Sequence, residues 1–215
     1  MNFKKIILFL CGIIYFHSCK AQPFVAFDVS QVFSKFKFTD SGNNKSKDYN
    51  YNLVNAYNLG YLKASQKGLM LGINVGLRKG GATKQIGELG FAWNFQYADA
   101  KINVGYMLKK WRIRPYILVS PYYASLINAT QIIGEKRYDI KKNKIVSKDD
   151  FGVISSGGVN IKLSDFISLY SSFNLITGLK NIETTPSQKL NNRGFSITLG
   201  IAINITKSAP QWLKR

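Results

Sequence analysis

Apolar residues recur at every second position along much of this chain. That is the period of a β-strand, whose successive side chains point to opposite faces. The stretch from Phe195 to Ile205 shows it most fully. Phe195, Ile197, Leu199, Ile201, Ile203 and Ile205 are large and apolar, while Ser196, Thr198, Gly200, Ala202 and Asn204 between them are small or polar. A tilted strand needs about ten residues to cross a bilayer. A soluble sandwich also buries one face of each strand, but its other face usually carries charge. Here the second face is small and neutral, as in the filled lumen of a narrow barrel. The alternation predicts an all-β, up-and-down antiparallel transmembrane β-barrel.

The same period predicts strands at 24–38, with Val25, Phe27, Val29 and Phe33 on one face, and at 49–64, with Tyr51, Leu53, Tyr57, Leu59 and Tyr61 in register. In 69–78, Leu69, Leu71, Ile73, Val75 and Leu77 face out, and Met70, Gly72, Asn74, Gly76 and Arg78 face in. Later strands fall at about 113–126, 151–163, 166–177 and 194–205. Between 86 and 111 two parities compete. Leu89, Phe91, Trp93, Phe95 and Tyr97 share one; Ile102, Val104, Tyr106 and Leu108 share the other. A bulge or turn at Ala98-Asp99-Ala100 accounts for the switch. A single-chain bacterial barrel takes an even number of strands. Leu89–Tyr97 is therefore assigned to an external loop hairpin or a long extension, and the fourth strand to about Lys101–Lys110, which leaves about eight.

Long or medium connections are expected at 39–48, 79–88, 127–150 and 179–193. Short ones are expected at 65–68, near 98–101 or 110–112, and at 164–165. Long external loops opposite short periplasmic turns are a barrel signature. The glycines at 80–81 begin no helix, so they do not form a phosphate loop. The longest polar stretch, 128–150, holds Lys136, Arg137, Lys141, Lys142, Lys144 and Lys148. It reads as a large mobile loop and a candidate interaction surface.

The first residues change the chemistry that is available. Lys4 and Lys5 precede an apolar run from Ile6 to Phe16, and small residues at Cys19 and Ala21 suit cleavage before Gln22. The division read from this is a signal peptide at 1–21, a barrel at 22–205 and a basic tail at 206–215. The alternative is a lipoprotein signal with Cys19 acylated. Cys11, Cys19 and His17 are the only cysteines and histidine in the chain. Simple cleavage leaves no thiol and no imidazole, which excludes disulfides, Cys/His zinc sites and Ser-His-Asp or Cys-His nucleophiles. No cofactor and no metal are expected. The chain has 30 Lys and Arg against 11 Asp and Glu. A basic surface favours anionic partners. For an exported chain these are lipid phosphates or acidic envelope proteins rather than nucleic acid. The aromatic content, 12 Tyr and 14 Phe, fits the girdles of a membrane barrel.

Most carboxylates read as loop or turn residues. Asp149-Asp150 is the only adjacent pair; it either holds a hard cation, splits its pKa values for acid–base work, or caps the basic loop. The inward face offers Asn74, Arg78, Asn103, Tyr170 and Asn174 as candidate lumen residues. An eight-stranded barrel is just wide enough to be filled by such side chains.

One further pattern is specific. Phe151-Gly152-Val153-Ile154-Ser155-Ser156-Gly157-Gly158-Val159, then Ile167 to Leu179, then Asn192-Arg193-Gly194-Phe195 onward resembles the closing strands of the PorT-like outer-membrane β-barrel family of Bacteroidetes. Arg114-Pro115-Tyr116-Ile117 resembles that family's fifth strand, and Arg78-Lys79-Gly80-Gly81-Ala82 the end of its third. The resemblance implies an eight-stranded outer-membrane barrel and a link to protein secretion. The expected function is a non-enzymatic structural or protein-interaction barrel, with outer-membrane lipid and envelope or secretion proteins as partners. The alternatives are a narrow pore and a small-ligand-binding barrel, either in the outer membrane or lipocalin-like in the periplasm.

Overall fold

A computed structural model describes residues 21–42, 44–46, 49–142, 145–185 and 187–205. Residues 1–20 of the expected leader, Lys144 and the basic tail lie outside the described residues. Eight long strands form the wall: β1 Ala21–Thr39, β2 Asn50–Ser65, β3 Leu69–Ile86, β4 Leu89–Met107, β5 Ile113–Ile133, β6 Asp149–Lys162, β7 Ile167–Gly178 and β8 Lys189–Asn204. Each pairs antiparallel with the next, and β8 pairs back on β1 from Phe24↔Asn204 to Thr39↔Lys189. The sheet is thereby closed, which leaves no strand edge unpaired. Two short strands, Lys45–Ser46 and Lys136–Asp139, extend β1 and β5 into the loops.

The period-two pattern sets the two faces. On β8, Ile197, Leu199, Ile201 and Ile203 are exposed, while Ser196, Thr198, Ala202 and Asn204 are buried. Val75, Ile117 and Phe173 carry the same outer band around the barrel; Ile117 is 67% exposed and Leu199 60%. A continuous apolar belt of this kind is unfavourable in water and is matched by hydrocarbon. Placing an arginine in the belt is costly, so Ile201→Arg is expected to destabilise by roughly 2–4 kcal/mol. Urea titration in phospholipid bilayers measures this, with Ile201→Leu as the near-neutral control. Gly200→Arg acts differently. Gly200 faces inward, where a Cβ would run into the Tyr170 ring, so the harm there is overpacking.

The assignment of Leu89–Tyr97 needs correction in part. It is the long extension and not a segment separate from the fourth strand: residues 89–97 are the upper half of β4, at the top of the β3–β4 hairpin. The β3–β4 ladder runs from Leu69↔Tyr106 to Ile86↔Leu89. The expected loop at 79–88 is therefore strand as far as Ile86, turned at Gly87 with a positive φ of 60°. No bulge lies at Ala98-Asp99-Ala100. The facing strand slips instead: Gln96 pairs with Asn128 and Tyr97 with Leu126, which leaves Ile127 as the extra residue. Residues 93, 95, 97, 99, 101 and 103 of β4 all lie on the inward side. Trp93 packs against buried Phe36, and Phe95, Tyr97, Asp99 and Asn103 are buried. Apolar parity thus means lipid-facing in the lower half of this strand and lumen-facing in the upper half.

The expected loop at 127–150 is also shorter. β5 continues to Ile133, turns at Gly134 (φ 58°), and returns as Lys136–Asp139. The remainder folds over the barrel mouth. Ile140 N–H donates to Ala129 O, Leu126 N–H to Lys148 O and Ser147 N–H to Ile182 O. A bridge of Val146 with Glu183 joins this connection to the one between β7 and β8.

Candidate functional site

The lumen has three layers. At the loop end an apolar plug fills it. Val32, Phe36, Phe95, Leu126, Ile154 and Ile176 come from the strands, and Ile140, Val146 and Ile182 come down from the loops, all buried together. Trp93 and Tyr49 pack on Phe36 from above, with ring centroids 6.3 and 5.8 Å away. At the short-turn end a smaller apolar ring, Ala64, Met70, Met107 and Tyr116 with Phe24, Leu62 and Leu118 against it, narrows the barrel.

Between them lies a charged network. Three strands supply buried carboxylates: Asp28 from β1, Asp99 from β4 and Asp150 from β6. Two cations answer them. Arg78 Nε donates to Asp99 at 3.0 Å, and its Nη2 lies 3.7 Å from Asp150. The Arg78 guanidinium sits between the Tyr97 and Tyr122 rings, 5.1 and 4.9 Å from their centroids. Lys101 lies 3.8 Å from Asp99 and donates to Asn58 at 2.6 Å. Asn58 and the Tyr170 hydroxyl both donate to Asp28, at 2.6 and 2.9 Å. The Tyr122 hydroxyl and the Asn192 amide each donate to Asp150 at 2.9 Å. Among the described residues, one carboxylate oxygen of Asp99, one of Asp150 and Nη2 of Arg78 have no hydrogen-bond partner. Buried charge is tolerated only when paired and hydrogen-bonded, and here each charged group touches a charge of opposite sign or a polar partner.

Asn74, Arg78, Asn103, Tyr170 and Asn174 all line one cavity of about 130 Å³, which reaches from Met70 and Lys109 up to Arg78 and Ile176. Asn103 donates to Asn74 and accepts from Ser120; Asn174 donates to Ser196 and Thr198. A space of this size, lined by apolar side chains as well as these polar ones, has room for several water molecules.

Asp28, Asp99 and Asp150 are exceptions to the reading that most of the acids are loop or turn residues. Sequence gave little sign of their burial, because a lone Asp inside an alternating strand reads the same as one at a strand end. The cation-binding and acid–base readings of Asp149-Asp150 require the two carboxylates to lie together, and the structure separates them. The two side chains leave opposite faces of β6. Asp149 accepts from the Tyr123 hydroxyl at 2.6 Å on the outside, while Asp150 is fully buried in the lumen. They cannot share a cation. Among the described residues, no group of three or more His, Cys, Asp or Glu could hold a metal ion.

Of the basic loop residues, Lys136 and Arg137 stand on the short return strand, and Lys141 and Lys142 on the turn after it, all exposed. Asp139 shapes that turn by accepting from the backbone N–H groups of Lys141 and Lys142 at 3.1 Å. Lys148 is exposed just before β6. The period-two reading of the sequence does not reach Ile140, Val146 and Ile182. Ile140 and Ile182 are single apolar residues in polar stretches and Val146 follows only Ile145, and that apolar interruption of polar sequence is the one available signal that they are buried.

No family model matches the sequence, and no curated protein matches it. Solved structures do resemble the fold. The outer membrane protein OprG from Pseudomonas aeruginosa superposes with a TM-score of 0.54 at 10% identity, covering 88% of this chain and 98% of that one. Neisserial surface protein A gives a TM-score of 0.47 at 12% identity, over 85% and 97% of the two chains. The outer membrane protein AlkL gives 0.41 at 10%, over 88% and 93%. The closed eight-stranded meander, its apolar belt and the OprG superposition together make this chain an integral outer-membrane β-barrel.

Proposed function

We propose that this barrel is a non-enzymatic, non-conducting scaffold that presents a basic loop platform to partner proteins at the cell surface. The observation that carries the reading is the way the loops are seated. Ile140, Val146 and Ile182 anchor two connections in the barrel mouth, while Lys136, Arg137, Lys141 and Lys142 are exposed beside it, the Lys141 ammonium donating to Ile127 O. A loop pinned by buried apolar residues holds its charges in fixed places, which lowers the ordering cost of binding. The outward ladder beneath continues the charge, since Lys35 stands directly opposite Arg193 across β1 and β8. Like charges in that position repel and favour an anionic neighbour. Association with protein secretion is a finer proposal, resting on the resemblance to PorT-like barrels.

Replacing Lys136, Arg137, Lys141 and Lys142 with serine is expected to leave the heat-dependent gel shift of the folded barrel intact and to remove co-purifying envelope proteins. Unchanged partners and an unchanged secretion phenotype overturn the platform reading. Deleting 134–148 is a poorer test, because it also takes Ile140 and Val146 out of the plug. The cavity of about 130 Å³ favours a second reading, a barrel for a small ligand. Large stepwise conductance in a planar bilayer favours the pore instead.

A further inference from the structure

The short-turn end of the barrel is charged as well. A cleft of about 420 Å³ opens between the β4–β5 and β6–β7 turns, where Lys109, Lys110, Arg112, Arg114 and Lys162 meet a single carboxylate, Asp165. Lys162 pairs with that carboxylate. Among the described residues, Lys110, Arg112 and Arg114 make no ion pair. Arg112 and Arg114 each spend their Nε on a backbone carbonyl, of Lys162 and Trp111 respectively, both at 3.2 Å. That orients the guanidinium planes without neutralising them. Lys109 donates to Ala64 O at 3.0 Å. Burial, and then the charge of Arg114, push its ammonium down to about 8. Cations crowded in this way favour an anion, and a phosphate accepts from several of them at once.

The rim of the cleft is of the opposite character. Leu108, Trp111, Ile113 and Leu163 are all exposed at the foot of the apolar belt. Tryptophan at that level is an interfacial anchor. Cations at headgroup depth beside exposed aliphatic side chains match the two halves of one molecule. We propose that this cleft binds an anionic phospholipid of the periplasmic leaflet, its phosphate held by Lys110, Arg112 and Arg114 and its acyl chains lying along Ile113 and Leu163. An acidic protein would satisfy the charges, but it has no use for an aliphatic rim that continues into the belt.

The test compares the full-length barrel with the Lys110→Gln/Arg112→Gln variant. Both positions are exposed, and the heat-dependent gel shift checks that the variant folds. Each protein is offered phosphatidylglycerol or phosphatidylcholine in mixed micelles, and bound lipid is read by native mass spectrometry. Two basic residues near a lipid surface are worth about thirtyfold in affinity. The wild type is expected to prefer phosphatidylglycerol, and the variant to lose about that factor while its binding of phosphatidylcholine stays unchanged. Equal retention of phosphatidylglycerol by both proteins overturns the proposal. Displacement of the lipid by an equal concentration of glycerol phosphate overturns it too, since the acyl chains would then contribute nothing. So does loss of a co-purifying acidic protein with lipid retention unaltered.

Discussion

Arg78→Leu is expected to lower the unfolding free energy of the barrel by about 3–5 kcal/mol, the cost of leaving buried charge without its partner. Arg78 reaches both Asp99 and Asp150, and it fills the gap between the Tyr97 and Tyr122 rings. Without it, Lys101 is the one remaining cation of the network, at 3.8 Å from Asp99, and Asp150 is left with neutral donors alone. Equilibrium unfolding in urea, followed by tryptophan fluorescence in phospholipid vesicles, measures the loss. The cause is separable from simple truncation. Adding Asp99→Asn and Asp150→Asn to Arg78→Leu removes the uncompensated charge and is expected to recover most of the stability. If the triple variant is as unstable as the single one, packing rather than charge explains the effect. Lys162→Gln breaks only an exposed pair with Asp165 and is expected to cost less than about 1 kcal/mol.

The lipid-facing side of this barrel was legible in the sequence because hydrocarbon imposes a simple rule, in which every second residue is apolar and the rest are not. β8 obeys it from Phe195 to Ile203, and β3 from Leu69 to Leu77. The rule inverts where a strand rises past the membrane. There the outer face meets water and the inner face must fill a lumen with no lipid to help it. In β4, Phe95 and Tyr97 are buried on the same side as Asp99 and Asn103, so one continuous strand shows two apolar parities. Read with one rule, it looks like two segments. The extra residue that does shift register, Ile127, lies on β5, where no break in pattern marks it. Arg78 was legible as an inward residue because it continues the parity of Met70 and Asn74. Its partners were not. Asp99 lies on the neighbouring β4, where the register with β3 decides which residue Arg78 meets, and nothing local to β6 says that closure of the barrel will bring Asp150 to the same guanidinium. The mouth was hidden for a related reason. Ile140 and Ile182 stand alone in polar sequence and Val146 beside only Ile145, and periodicity says nothing about a residue that belongs to no strand.

The plug those residues complete gives the second large effect. Phe95→Ala is expected to destabilise by about 3–5 kcal/mol, the usual range for emptying a buried aromatic site. Phe95 is 2% exposed and touches Phe36 and Tyr97, with ring centroids 5.3 and 6.2 Å away. Its neighbours belong to a closed sheet that cannot collapse into the gap, so the cavity persists and its cost is felt. Phe173→Ala provides the contrast. That ring is half exposed on the outer surface and stacks on Phe195 at 5.7 Å, and losing such a pair costs about 0.5–1.5 kcal/mol. The two substitutions are chemically identical and differ only in the face from which the ring is removed. Unfolding of both variants in the same bilayer compares them directly, and equal losses would show that the loop end of the lumen is not packed as a core. Conductance separates stability from permeation. Phe95→Ala leaves Ile154, Ile176 and the Arg78 network beneath it in place, with the ring of Met70, Met107 and Tyr116 below those. The variant is therefore expected to be less stable and still closed to ions. A pore that opens on loss of this one ring would mean that the plug alone seals the barrel, and that the charged layer conducts.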